Sequence, residues 1–291
     1  MGTVGAVVVL YRMSDEQSPA VAAIQTSQVA ASHSLFVVIH DNSEFPQQGN
    51  ATSDFVDRRV VDSTNPGLAR AYMTALDLVE EGGCSWLMLL DQDTRVTDAY
   101  LAEVLDLVGR EEELAAAGVD ILVPVLQHQG RQVSPHARPR LRSPAIHVTT
   151  HGPLPSSAWY YNSGLVLRTE AVRRVGGFPG SYPMDYLDHA MARRMRSRGS
   201  VAWQLGAVLE HDLSVLQTGS MTPFRLQSIF AAEERFTVDY GTMADRLWLV
   251  GRRLVLALLS VTGRRHSPSR STEVRGVFSA VRVATTRRQV L

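Results

Sequence analysis

The stretch Trp86-Leu87-Met88-Leu89-Leu90-Asp91-Gln92-Asp93-Thr94 constrains the fold more than any other in the chain. A tryptophan and four apolar residues end abruptly in two acids that one residue separates. A run this short, after the turn-forming Gly82-Gly83, reads as a strand buried on both faces. Alternation along a strand points Asp91 and Asp93 to the same side. Two carboxylates delivered together at the end of a core strand are costly unless a cation or hydrogen-bond donors receive them. Oxygen ligands of that kind suit a hard divalent ion, Mg²⁺ or Mn²⁺, shared with substrate phosphates. An acidic loop after a core strand explains the same residues, so the rest of the chain decides.

Other apolar runs repeat the pattern. Val4 to Tyr11, Leu35 to Ile39, Arg58 to Asp62, Ile121 to Leu126, Leu165 to Arg168 and Val201 to Leu209 read as strands. Between them, helical spacing runs through Val21, Ile24 and Val29, through Leu68, Ala71, Leu76 and Val79, and through Leu101, Val104, Leu105 and Val108, the last with Thr97 as N-cap. Near-continuous apolar strands alternating with helices predict a mostly parallel sheet covered on both faces. Ligands of such sheets sit outside the carboxyl ends of the strands. Three of those ends carry acid or amide groups: Asp41-Asn42, Asp62 with Asn65, and Asp91 with Asp93. No GxGxxG follows the first strand and no GxxxxGK[ST] occurs, so neither a standard dinucleotide fold nor a P-loop nucleotidase is supported.

From His128 to Ser157 the chain holds five prolines, four histidines and four arginines with little periodicity, and reads as a long loop. Order resumes at Tyr160-Tyr161-Asn162-Ser163-Gly164. Farther on, the segment Tyr182 to His189 opens a helix through Met191 and Met195, with Asp185 and Asp188 on one side of it. Acids in a first helical turn also serve the helix dipole, which accounts for one of them without any chemistry. Val201 to Leu209 ends in Glu210-His211-Asp212.

Of 291 residues, 45% are hydrophobic and 20% charged, ordinary for a globular protein. The single cysteine, Cys84, excludes an internal disulfide framework and fits a reducing compartment. Met1 leads straight into a strand-like run, which reads as a chain without a secretory leader, and no apolar run is long enough to span a bilayer. The zero net charge hides an asymmetry. From Arg246 onward there are ten arginines and one acid, Glu273, against 19 basic and 28 acidic residues before it. There is no lysine. The helical stretch around Leu247, Trp248, Leu254, Val255 and Leu258, interspersed with Arg246, Arg252 and Arg253, suits either an interfacial helix on an anionic membrane or a helix packed on the domain. Its arginines alternate with aliphatic residues rather than stacking aromatics, so nucleic acid is not the expected partner.

Taken in order, the blocks VVVLY, VVIHDNS, NPGLARA, LMLLDQDT, YNSGLVLR, YPMDYLDHAMARRM and LEHD resemble those of the family-2 glycosyltransferases of GT-A fold. The closer resemblance is to the bacterial rhamnosyltransferases that use a deoxythymidine-diphosphate sugar, and it covers roughly Val4 to Gly219. It implies an α/β, Rossmann-like domain over 1–220 and a C-terminal helical, arginine-rich extension over 221–291. It also implies an inverting, metal-dependent transfer of a sugar, L-rhamnose from dTDP-rhamnose, onto a hydroxyl of a glycan or lipid-linked glycan. Carried over residue by residue, Tyr11 and Asp41 would meet the nucleoside, and Asn65, Gly67 and Ala69 the pyrophosphate and sugar. Asp91 and Asp93 would hold Mg²⁺ or Mn²⁺, with Gln92 between them on the donor side and His211 as a further metal ligand. Asp188 would be the catalytic base, with Asp185 beside it.

Two features depart from the family pattern. Tyr72 to Ala75 stand where the family often continues the NPG block with Asn and Gly, and Glu233-Glu234-Arg235-Phe236 matches the family's later region poorly. The competing readings keep the fold with another donor, such as UDP-galactofuranose, or make the chain a non-catalytic nucleotide-sugar binder. The expected setting is cytoplasmic, peripheral on the inner face of the plasma membrane, with self-association left open.

Overall fold

The computed structural model describes residues 3–33, 35–46, 54–138, 140–210, 222–262 and 269–285. The chain divides into two compact units, residues 1–137 with 145–212 and residues 138–144 with 213–291.

The first unit is built on a nine-stranded sheet. Its strands are β1 (Val4–Leu10), β2 (Phe36–Asp41), β3 (Arg58–Val61), β4 (Trp86–Asp91), β5 (Val119–His128), β6 (Arg131–Ser134), β9 (Gly152–Pro153), β11 (Val166–Arg168) and β12 (Val201–Glu210). A second, three-stranded sheet joins β7 (His136–Ala137), β8 (Ile146–His147) and β10 (Ala158–Trp159). The main order is β3-β2-β1-β4-β11-β5-β12-β9, with β6 hairpinned onto β5. Strands β1 to β4 pair in parallel, and β12 is parallel to β5. β11 lies antiparallel between β4 and β5. β4 and β5 therefore run the same way, and the carboxyl ends of β1, β2, β4, β5 and β12 open on one edge.

The strands form where valine and leucine runs can be covered from both sides. Every residue of β1 is buried, as are all of β4 up to Asp91. The helices are α1 (Pro19–Thr26), α2 (Gln28–Ser32), α3 (Leu68–Glu81), α4 (Asp98–Gly109), α5 (Glu111–Ala116), α6 (Thr169–Arg174) and α7 (Leu187–Ser197). Thr97 caps α4 as its sequence suggests, its hydroxyl accepting from Tyr100 N at 3.2 Å. Ser18 caps α1 by accepting from Val21 N, and Pro19 fills the first position, where an amide hydrogen has no helical partner. Away from the carboxyl edge, Arg168 stacks 4.5 Å over the Trp86 ring and pairs with Glu111 and Asp120, so the buried guanidinium has both a ring face and two carboxylates.

The stretch from His128 to Ser157 is not a plain loop. It contains β6 to β9, strands of two to four residues that periodicity cannot register. The helix expected from Tyr182 also starts later, at Leu187, because Tyr186 takes a left-handed conformation with φ +62°. Asp185 thus precedes α7, and its nearness to Asp188 comes from this turn rather than from helical spacing.

The second unit holds α8 (Pro223–Tyr240), α9 (Met243–Val261) and α10 (Arg270–Thr285). Among the described residues no helix is long and apolar enough to cross a membrane. α9 carries polar groups inward: Asp245, Arg246, Arg253 and Ser260 are buried. Glu233 of α8 receives Arg252 and Arg253, the latter at 2.5 Å, and Arg253 lies 3.2 Å over the Phe230 ring. Arg246 donates to the carbonyls of Val238 and Val283. The outward face of α9 is apolar, from Leu254 at 45% exposed to Leu258 at 63%. This inverts the usual arrangement of a helix on a globular protein.

Candidate active site

Several of the residues that the sequence nominated lie at the carboxyl edge of the sheet. β4 ends at Asp91, and a turn follows in which Thr94 N donates to Asp91 O at 3.0 Å. Ser163 Oγ donates to Asp91 Oδ2, and Tyr72 OH lies 3.5 Å from Asp91 Oδ1. Neither hydroxyl was nominated from the sequence. Tyr72 sits in the apolar stripe Leu68-Tyr72-Leu76-Val79 of α3, fully buried against Phe178. A phenol tip inside such a stripe is the signal that was there to read. Burial first, then the charges of Asp91 and Asp188, push that phenol well above its usual range.

Asp188 lies in the first turn of α7, its side chain 14% exposed. Burial, and then the charges of Asp91 and Asp185, raise its carboxyl to about 7, against the lowering effect of a hydrogen bond from His189 N at 2.7 Å. The site therefore holds a carboxyl poised near neutrality within the field of the β4 acids.

Gln92 has a specific task here. Its Oε1 accepts from Tyr11 N at 2.7 Å, and its backbone carbonyl accepts from Ser18 Oγ at 2.7 Å and Ala20 N at 3.3 Å. It ties the end of β1 and the start of α1 to the end of β4. Tyr11 is 36% exposed, its ring covered on one side by the Arg12 guanidinium at 5.0 Å. Asp41 is buried at the end of β2, where Oδ1 accepts from Ser43 N at 2.8 Å and shapes the turn.

Asn65 adopts φ +48° and donates its N–H to Asp62 O. Gly67 has φ +89°, and a Cβ there would stand 2.5 Å from Pro183 O. The glycine is needed for this close approach as well as for its backbone conformation. Ala69 N donates to Pro183 O at 3.3 Å. The NPG block thus seats the segment that leads into Asp185 and Asp188, so Gly67 and Ala69 position the carboxylates in addition to any contact with a ligand. His211 lies outside the described residues; its neighbour Glu210 bridges to Arg95, two residues past Asp93.

The chemistry of the donor set fits a divalent cation of one kind. Asp91 and Asp93, the second in the turn beyond β4, would supply carboxylate oxygens, and the repulsion of Asp188 by Asp91 and Asp185 is one that a cation would relieve. Among the described residues no three His, Cys, Asp or Glu side chains form a ligand cluster. The fit is to an ion such as Mg²⁺ or Mn²⁺ held by one or two carboxylates and completed by water and a diphosphate, rather than to an all-protein cage.

No family model and no curated protein matches the sequence. Solved structures do match in fold. Staphylococcus aureus TarS is 12% identical over 81% of this chain and 43% of its own, with a TM-score of 0.51. Its fragment 1–349 is 10% identical over 97% of this chain and 81% of its own, at 0.54. GalNAc-T7, solved with UDP, GalNAc and Mn²⁺, is 10% identical over 87% of this chain and 51% of its own, at 0.58. The chain spans about half or less of the length of full TarS and of GalNAc-T7. At these identities the likeness is one of fold. With one antiparallel strand set into an otherwise parallel core and acids gathered at its carboxyl edge, the first unit has the GT-A fold.

Proposed function

We propose that this chain is an inverting, divalent-metal-dependent glycosyltransferase that moves a sugar from a nucleoside diphosphate to a hydroxyl of a glycan or lipid-linked glycan. The observation that carries the reading is Asp188, a mostly buried carboxyl raised to about 7, in the field of Asp91 at the edge where the parallel strands end. Its first donor candidate is dTDP-rhamnose, on the strength of the LDQDT block. A uridine-diphosphate sugar is the alternative that the GalNAc-T7 structure, with its UDP, favours.

The roles follow from charge and position. Asp91 and Asp93, with His211 as a third candidate, would hold Mg²⁺ or Mn²⁺, which when bound offsets the charge developing on a departing diphosphate. Ser163 and Tyr72 orient Asp91 through its two oxygens. The exposed Tyr11 ring offers a face to the nucleobase, with Asp41 and the Asn65-Gly67-Ala69 turn on the donor side. Asp188 accepts the proton of the attacking hydroxyl, and Asp185 keeps that carboxyl's affinity for a proton high. A single displacement inverts the anomeric carbon.

The second unit's place in this reading is on a membrane. The outward apolar face of α9, together with Val274, Phe278, Arg275 and Arg282 exposed on α10, suits an anionic lipid surface at the cytoplasmic side. Its polar face is already engaged inside the unit, so packing that face elsewhere would leave the aliphatic residues in water.

The test is nucleoside diphosphate release from thymidine-, uridine- and guanosine-diphosphate sugars, with and without Mn²⁺ or Mg²⁺. Metal-dependent release from one class, best from dTDP-rhamnose, is expected. No release and no binding of any donor would remove the transferase reading.

A further inference from the structure

An aromatic assembly beside Asp188 is not used by the donor chemistry. It comes from two places distant in sequence. In the small sheet Trp159 and His136 stand directly opposite each other, and their rings are stacked with centroids 6.3 Å apart. Residues opposite each other in a sheet share a face. Trp159 then meets the ring of His189 at 4.2 Å, and Tyr161 meets both His189 at 5.9 Å and His136 at 6.3 Å. Tyr186 stands edge-on to His189 at 5.5 Å. His189 directly follows Asp188, and its Nδ1 lies 3.5 Å from Asp188 Oδ1. Three rings therefore converge on the neighbour of the carboxyl assigned as base, and His136 backs two of them.

The burial of these rings is graded. Trp159 and His136 are buried, the His189 side chain is only 12% exposed, and all three act as backing, while Tyr161 and Tyr186 are partly exposed. Tyr186 also holds a left-handed backbone at φ +62°, a conformation that strains any residue with a Cβ and persists where surrounding structure enforces it. A ring needed only to fill the core would not require this turn. Trp159 follows directly on the proline- and histidine-rich segment, which contributes His136 from β7.

We infer that Tyr161 and Tyr186, backed by His189, Trp159 and His136, form the acceptor platform of this site, and that the accepting hydroxyl is carried by a sugar ring. The inference rests on the transferase reading above and narrows it. The negative π face of an aromatic ring attracts the weakly positive C–H face of a pyranose. That stacking leaves the sugar's hydroxyls at its rim, where one reaches Asp188 and another Asp185. A simple aliphatic alcohol offers no such face. Tyr161 and Tyr186 thus determine acceptor specificity, while proton removal stays with Asp188.

The test uses the full chain and two variants. Tyr161→Ala removes one ring. Tyr186→Asn removes another with a residue that tolerates the left-handed backbone. The probes are methyl glycosides of rhamnose, galactose, glucose and N-acetylglucosamine. Saturation-transfer NMR should show contact to the sugar C–H protons with wild type, and its loss in both variants. With the best donor from the panel, the acceptor KM should rise on the order of tenfold per variant while the donor KM holds. An unchanged acceptor KM, or equal rises in both KM values, would overturn the platform. If wild type releases no nucleoside diphosphate but still binds the glycosides through these tyrosines, the transferase reading falls and the sugar platform stands.

Discussion

Asp188 sets two opposed pH dependences. Its folded carboxyl titrates near 7 against an ordinary value of 3.8, so between those limits the native state binds a proton that the unfolded chain has released. Stability from this group is full below the ordinary value and is lost as pH rises toward 7, levelling above it. Activity follows the ionised form and climbs over the same range. A thermal-melt series on metal-free protein and a kcat/KM profile with metal present, from pH 4.5 to 8 in steps on the order of half a unit, should therefore slope in opposite directions, the melt inflecting near 7 and the activity below it, because a bound cation offsets the repulsion from Asp91. A melting temperature that rises with pH across this window while activity also rises would place the essential base elsewhere. The shift comes from burial, then from Asp91, 97 positions away, and from Asp185; Tyr72 and Ser163, which hold Asp91, are 19 and 72 positions from it in sequence. The carboxylates themselves stood out as acids at the ends of apolar runs. Their hydroxyl partners did not, because nothing local in sequence marks a contact across the sheet.

At the scale of elements, α9 bears on the two readings its sequence leaves open. Apolar and basic residues alternate along it, and composition alone does not say which face turns inward. The described structure buries Arg246 and Arg253 and exposes Leu247, Leu254, Val255 and Leu258. Leu254→Glu with Leu258→Glu should therefore leave stability within about 0.5 kcal/mol, yet abolish co-sedimentation with vesicles containing phosphatidylglycerol. Arg253→Ala should do the reverse, costing about 1.5–3 kcal/mol by leaving Glu233 to Arg252 alone. Retained vesicle binding by the leucine double variant would contradict the membrane assignment; a wild-type dimer that this variant splits would assign the face to a second copy. The strands were legible for the opposite reason. β1, β2, β4 and β5 are long apolar runs that only a doubly covered sheet can bury. β7 and β8 are two residues each, too short to carry a period, and fall inside the stretch that reads as loop.

Over the whole molecule, parallel order could be inferred from alternating strands and helices, but the insertion of β11 against the grain could not. Leu165 to Arg168 announces a strand without announcing its direction. That insertion lets Gly164 and Ser163 approach the end of β4: Gly164 N donates to Leu89 O at 2.8 Å, and Ser163 reaches Asp91. The fold thus brings together, at one edge, the turn after β2, the NPG turn, the β4 acids, the YNSG block and the start of α7. The account stands or falls on whether that edge transfers a sugar with Asp188 as base. The direct measurement is the rate and anomeric configuration of transfer to a methyl glycoside by wild type and Asp188→Asn, alongside donor affinity by calorimetry. The expected result is an inverted product from wild type, and a rate about a hundred- to ten-thousand-fold lower in Asp188→Asn with donor affinity kept. A retained anomeric configuration, or near wild-type turnover by Asp188→Asn, would contradict it.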